Sequence, residues 1–201
     1  MARPRKDQEG PSAKERLEAA YWELLAEGPS ESISVKELIA RARVNRNTFY
    51  YHYADIDEMA VELIAKNLPR EFFGTFLRMI ACGDFNTREL REIGNLDEHF
   101  ARVQLILRHG SPRLIGLGKE EVLACLLEMI GTKREELTKE DLASVDFIWG
   151  GVSSLMAGEQ VHCLDDYLDA LEGGIAAAAS SLLLGILKRH SRGSLEELPV
   201  R

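Results

Sequence analysis

Residues 35–53, VKELIARARVNRNTFYYHY, constrain this chain more than any other stretch. Ser34-Val-Lys-Glu37 has capping-box spacing, in which the serine oxygen accepts from the amide three residues on and the glutamate accepts from the serine amide. Leu38, Ile39 and Ala42 then share one face of a short helix. After a four-residue break, Asn45 is placed to cap a second short helix with Phe49 as its core anchor. Two short helices so spaced form a helix-turn-helix, whose second helix enters the DNA major groove. Upstream, Ser12-Ala-Lys-Glu15 repeats the capping box. Leu17, Ala20, Tyr21, Leu24 and Leu25 form one apolar stripe, and Gly28-Pro29 ends that helix. Three helices of this size hold too little core to be very stable alone, so a fourth is expected to brace them.

That fourth helix is expected to begin at Asp55, where Asp55, Asp57 and Glu58 complement the helix dipole. It should run through Met59, Leu63 and Ile64 toward Pro69, which kinks or ends it. No Gly/Ser-rich spacer separates it from the C-terminal part of the chain, so motion beyond it can reach the first three helices as a tilt. Further helices are expected over 71–81, 87–93, 96–109, 119–130, 139–162 and 165–190, with Pro112, Gly116 and Gly118 marking an irregular stretch before Lys119. The tail 191–201 is polar and expected to fray. No period-2 strand and no internal repeat is evident. The expected fold is all-α with about nine helices: an N-terminal arm and helix-turn-helix domain over 1–53, then a helical domain over 54–201.

The formal net charge of -8 looks unsuited to a nucleic-acid partner until it is divided along the chain. Residues 1–53 hold 9 Lys+Arg against 8 Asp+Glu, and the remainder holds 16 against 25. The acidity therefore belongs to the C-terminal part, and phosphate contact needs only local positive potential. Arg3, Arg5 and Lys6 are either a basic arm on DNA or a plain disordered tail. The N-terminus lacks the apolar core of a secretion signal, and no apolar run approaches the roughly 20 residues that span a bilayer. Three scattered cysteines, Cys82, Cys125 and Cys163, without C-x-x-C spacing, fit a reduced cytoplasm and no zinc site.

The run Thr48-Phe49-Tyr50-Tyr51-His52-Tyr53 resembles the T-[LF]-Y-x-H-F ending of the recognition helix in TetR-family transcriptional regulators, at the same distance from the N-terminus. The likeness holds in sequence detail over residues 12 to about 64. From its chemistry, Arg46 suits bidentate contact with guanine and Asn47 suits adenine. The resemblance implies phosphate-contacting positions at Thr48, Tyr51 and His52, a base or backbone contact at Tyr50, and contacts from Ser34 and Lys36 at the start of the second helix. Arg43 and Asn45 in the turn complete the candidate DNA-binding set. Two positions depart from the family's pattern: Arg43 stands where glycine is usual, and Ile56 where a phosphate-directed lysine is common. Either the turn is looser or Arg43 takes a strained backbone, and the lost contact would fall to the basic arm or to Arg43.

Small residues crowd the last two long segments: Gly150, Gly151, Ser153, Ser154, Ala157 and Gly158, then Gly173, Gly174, Ala176 to Ala179, Ser180 and Ser181. Glycine costs a helix interior about 1 kcal/mol relative to alanine, so close helix packing must compensate. Two sites for that packing remain open, one within a subunit and the other across a twofold axis. The resemblance implies the second, a homodimer through Gly150, Ser154, Gly158, Gly174, Ala177, Ala178 and Ser181. It also implies a small-molecule effector site, for which Phe72, Phe73, Phe76, Met79, Phe100, Leu107, Trp149, Met156 and Cys163 are candidate walls, each by itself more readily read as plain core. Glu159-Gln-Val-His162 has di-iron spacing, but no second copy accompanies it. The expected function is a non-enzymatic, cofactor-free, cytoplasmic regulator of double-stranded DNA. It would bind a pseudo-palindromic operator as a dimer and be released by a small molecule. The alternatives are a regulator governed by a protein partner, with a filled C-terminal core, and a helical-bundle metalloprotein.

Overall fold

The computed structural model describes residues 10–67, 88–171 and 174–190, together with Phe72, Gly74 and Thr75. The described residues contain no strand. They form ten α-helical segments: α1 (Ala13–Glu27), α2 (Val35–Ala42), α3 (Arg46–His52), α4 (Ile56–Lys66), α5 (Arg88–Arg91), α6 (Leu96–His109), α7 (Pro112–Ile130), α8 (Lys139–Ala157), α9 (Leu164–Leu171) and α10 (Gly174–His190). Nine are longer than a single turn, and 3-10 turns lie at Ser30–Ser32 and Arg134–Glu136.

Both expected capping boxes form, at Ser12 with Glu15 and at Ser34 with Glu37. Asp55 is the N-cap of α4 rather than its first residue; its side chain accepts from Glu58 N at 2.8 Å. The segment expected at 119–130 begins seven residues earlier. Ser111 caps α7 and Pro112 takes the first helical position, where its missing N–H has no partner to lose, so the proline starts the helix instead of delaying it. The segment expected at 139–162 stops at Ala157, with Gly158 at its C-cap. Two α6 side chains satisfy that end: Arg108 donates to the carbonyls of Ala157, Gly158 and Val161, and Gln104 to those of Met156 and Val161. The stretch expected as one helix at 165–190 comprises α9 and α10. Pro69, the cysteine at 82 and most of the helix expected at 71–81 lie outside the described residues, as do the N-terminal arm and the tail.

Three apolar clusters organise the packing. The first holds Leu17, Tyr21 and Leu25 of α1 against Leu38, Phe49 and Tyr53, and continues through Met59, Leu63 and Ile64 of α4 to Ile106 of α6 and Leu114 of α7. Helix α4 is thus the brace the three-helix module lacks. The second joins α7, α8 and α10 through Leu123, Leu126, Val145, Ile186 and Leu187. The third joins α5, α6 and α9 through Leu90, Phe100, Tyr167 and Leu168. Helix α6 contributes to the first and third clusters, which places it between the N-terminal module and the rest of the helical body.

Candidate nucleic-acid interface and internal cavity

Helix α3 is anchored by one face. Phe49 is fully buried and Tyr53 nearly so, and the Tyr53 hydroxyl donates to Glu18 of α1 at 3.4 Å. Burial first, then the adjoining Glu18 carboxylate, pushes the Tyr53 phenol well above its ordinary range, so it remains a donor. Lys66 closes on the other Glu18 oxygen at 2.7 Å, and Lys14 on Glu62 at 2.5 Å, pinning α4 to α1.

The opposite face carries the sequence-derived contact residues. Arg46, Asn47, Tyr50 and Tyr51 are exposed, Tyr51 by 84%, whereas Thr48 and His52 are half-buried. Lys36 and Arg43 are exposed as well. The Arg46 guanidinium lies over the Tyr50 ring at 5.5 Å, with Nη2 3.4 Å from the Tyr50 hydroxyl. Asn45 Oδ1 accepts from Thr48 N at 2.8 Å and from Thr48 Oγ1 at 3.1 Å, so that oxygen is committed to the helix cap. The Ser34 hydroxyl is likewise committed, donating to Glu37 at 2.6 Å.

The two off-pattern positions have distinct outcomes. Arg43 adopts φ 52° and ψ 47°, the left-handed conformation in which glycine is free and other residues are strained. It does so to close a Schellman turn: Arg43 N donates to Ala40 O at 3.3 Å and Val44 N to Ile39 O at 3.1 Å. The turn therefore keeps its tight form at a cost in backbone strain. Ile56, by contrast, packs against the first cluster rather than facing a phosphate.

Between the module and the body lies a cavity of about 180 Å3. Of the candidate walls, Phe72, Phe100, Leu107, Trp149 and Met156 line it. Cys163 does not line it; that side chain is exposed in the turn after α8. Phe76, Met79 and the side chain at 73 fall outside the described residues. Sequence reasoning missed His99, Lys119, Ser153 and Tyr167, polar members of the wall scattered over the helices with no linear pattern to mark them. It also missed Ile64 of α4, by which the DNA module itself reaches the cavity.

Glu159 and His162 lie beyond the end of α8, so their spacing does not set them on one helical face. The described residues contain no cluster of metal-ligating side chains, and none of their helices is long and apolar enough to cross a membrane.

The small-residue stretches lie at the surface. Gly150, Ser154, Gly174, Ala177, Ala178 and Ser181 are exposed, beside Phe147 at 69% and Ile175 at 50%. A Cβ added at Gly150, Gly151 or Gly174 would meet nothing within 4 Å. Gly158 differs: an added Cβ would stand 3.2 Å from the Leu155 carbonyl, so the chain's own turn accounts for it.

Residues 17–63 match the family model described as bacterial regulatory proteins, tetR family. The matched stretch runs from Leu17 of α1 to Leu63 of α4, covering the whole first cluster except its two outer residues from α6 and α7 and Ile64. No curated protein and no solved structure matches the chain.

Proposed function

We propose that this chain, whose residues 17–63 match the model of the tetR family of bacterial regulatory proteins, is a DNA-binding regulator of that type, acting as a dimeric repressor released by a small molecule. The observation that carries the DNA-binding mode is α3 itself, which is anchored through Phe49 and Tyr53 while Arg46, Asn47, Tyr50 and Tyr51 stand in solvent. Two such helices on a twofold axis would meet successive major grooves, so the operator is a pseudo-palindrome with half-sites about one helical turn apart.

Dimerisation is supported by the exposed small residues of α8 and α10. Among the described residues an added Cβ at Gly150, Gly151 or Gly174 would meet nothing within 4 Å, so no packing there calls for glycine. The exposed Phe147 and Ile175 add apolar area to the same two helices.

Release is supported by where the cavity lies. Its wall includes Ile64 of α4 and Ile106 of α6, both members of the cluster that holds α3. A ligand that favours one spacing of these helices shifts the dimer toward or away from the operator by its differential affinity. At the ~30 Å3 that each water takes in the liquid, the cavity holds about six waters. An apolar space of that size suits a compact small molecule.

Selection of bound sequences from a random DNA pool, repeated at several salt concentrations, tests the reading. The expected outcome is a palindromic consensus whose affinity falls steeply with salt. Recovery of unsymmetrical half-sites, or of no consensus, would overturn the dimeric operator.

A further inference from the structure

The described part of the cavity wall is mostly apolar, and its polar side chains are Lys119, Ser153, Tyr167 and His99. Lys119 Nζ is 2.5 Å from Asp146 Oδ1, so its charge is already paired. The Ser153 hydroxyl donates to the Trp149 carbonyl at 2.5 Å, within its own helix. Tyr167 packs its ring on Phe100, and burial pushes its phenol well above the ordinary range, so it carries no charge. The Tyr167 hydroxyl also has no hydrogen-bond partner among the described residues, but only His99 has an unmatched atom that is shut off from solvent as well. His99 is half-buried on the wall, and its Nδ1 is shielded from solvent with no hydrogen-bond partner among the described residues. A buried polar group left unmatched costs stability, so its retention beside a cavity calls for a partner that the protein does not supply.

We propose that the cavity receives an uncharged, chiefly apolar molecule bearing one hydroxyl or equivalent hydrogen-bonding group, and that His99 is the residue that reads that group. A neutral imidazole offers one donor and one acceptor nitrogen, and a hydroxyl can both donate and accept, so the two match in either tautomer. Rotation of the ring about its last side-chain bond is the movement that would bring the shielded nitrogen to a ligand in the cavity. Among the described wall residues the one lysine, Lys119, is already paired with Asp146, so a carboxylate finds no free ammonium there. The aromatic walls Phe72, Phe100 and Trp149 suit a ring of comparable size. The inference rests on reading the helical body as a sensor and names the class of what it senses.

Three probes of one shape test it by titration calorimetry on the full chain: 4-tert-butylphenol, tert-butylbenzene and 4-tert-butylbenzoate. The phenol is expected to bind at least tenfold tighter than either of the others. In His99→Phe its advantage over the hydrocarbon should fall to about twofold or less, and His99→Gln, which restores hydrogen-bonding capacity, should recover most of it. Gly118→Leu should weaken all neutral probes together. An added Cβ at that position stands 3.6 Å from the Trp149 ring, an ordinary contact, and the rest of the leucine side chain extends from a residue of the cavity wall; the thermal unfolding midpoint of the variant checks that it folds. Equal binding of the benzoate, a phenol advantage that survives His99→Phe, or binding of none of the three would overturn the assignment. Operator binding by the same protein, measured without any probe, reports separately on the regulatory reading, so either can fail while the other stands.

Discussion

Arg46 begins α3 with its guanidinium stacked on Tyr50 one turn later, an arrangement that narrows the directions available to a long side chain. Less rotamer entropy is then lost when it forks onto a base. Arg46→Ala is expected to relax base preference at one operator position and cost roughly 1–3 kcal/mol in binding; an unchanged selection profile would refute the assignment. Arg43 raises a different question, because its left-handed backbone costs about 1 kcal/mol relative to glycine, and only a benefit outside the fold explains a large cation there. Arg43→Gly should therefore raise unfolding stability by roughly 0.5–1 kcal/mol while weakening DNA binding and flattening the dependence on salt by about one phosphate contact. Stability and affinity rising together would show that Arg43 touches no DNA. The candidate contact residues could be named from sequence because the helix-turn-helix pattern fixes their spacing. What sequence could not separate were the two uses of one side-chain type. Serine and asparagine serve both helix caps and phosphates, and only geometry shows that the Ser34 hydroxyl and Asn45 Oδ1 are taken by caps. His99 was equally invisible as a site residue, since an unmatched ring nitrogen is defined by its surroundings and not by its neighbours in the chain.

At the scale of elements, the sequence marked the helix starts that carry a side-chain cap three residues before a glutamate or aspartate, but it placed the start of α7 seven residues late. Starts are local: Ser12, Ser34 and Thr138 each bond the amide three residues on. The end of α8 depends on Gln104 and Arg108, roughly fifty residues away, and no local pattern foretells it. A comparable long-range tie joins the start of α8 to the end of α10. Asp141, fully buried, accepts from Thr138 N at 2.8 Å, from Arg189 Nε at 3.0 Å, and lies 2.9 Å from His190 Nε2. Burial alone would push this carboxyl up, but Thr138, Arg189 and His190 together hold it well below the usual carboxylate range. A depressed folded-state pKa stabilises the fold above the unfolded value of about 3.9 and loses that contribution as pH falls below it. Asp141→Asn is expected to cost roughly 2–3 kcal/mol at neutral pH, discounted because Arg189 is partly in water, and to flatten the acid limb below pH ~4. Urea unfolding at pH 7 and pH 3 checks both; an equal loss at the two pH values would mean the carboxylate is not the stabilising species. The outer faces of α8 and α10 carry the second test at this scale. Ala177 is exposed among small residues, so Ala177→Leu leaves the subunit core untouched and should weaken self-association by tenfold or more. An intact dimer of unchanged affinity in sedimentation equilibrium would remove α10 from the interface.

For the whole molecule, the proposed control of α3 by the cavity needs a physical link, and α6 is placed to provide one, since it belongs to the cavity wall and to the cluster that seats α3. One side of α6 lines the cavity through His99, Phe100, Val103 and Leu107. From the same helix Arg102 places its guanidinium 5.5 Å over Trp22 of α1 and donates to Asn67 Oδ1, at the end of α4, at 2.8 Å. Asn67 is itself buried and donates to Leu63 O at 2.7 Å, so Arg102 grips α1 and α4 at once. The next helix adds two ties to the DNA module, Ser111 N to Ser30 Oγ at 2.9 Å and Arg113 to Asp57. Arg102 is not part of the cavity wall and lies far from Arg46 and Tyr50 in sequence, so its removal interrupts transmission without altering either site. A double-mutant cycle read on operator affinity isolates that effect. Gly118→Leu acts as a built-in occupant of the cavity, and Arg102→Met keeps the apolar stem over Trp22 while deleting the charge and its hydrogen bond. If α6 carries the signal, the two changes interact by about 0.5–2 kcal/mol, and filling the cavity affects DNA binding less once Arg102 is gone. Additive effects within about 0.3 kcal/mol would place the coupling elsewhere, with Ile64 of α4 the next residue to test, since it belongs at once to the cavity wall and to the cluster that seats α3.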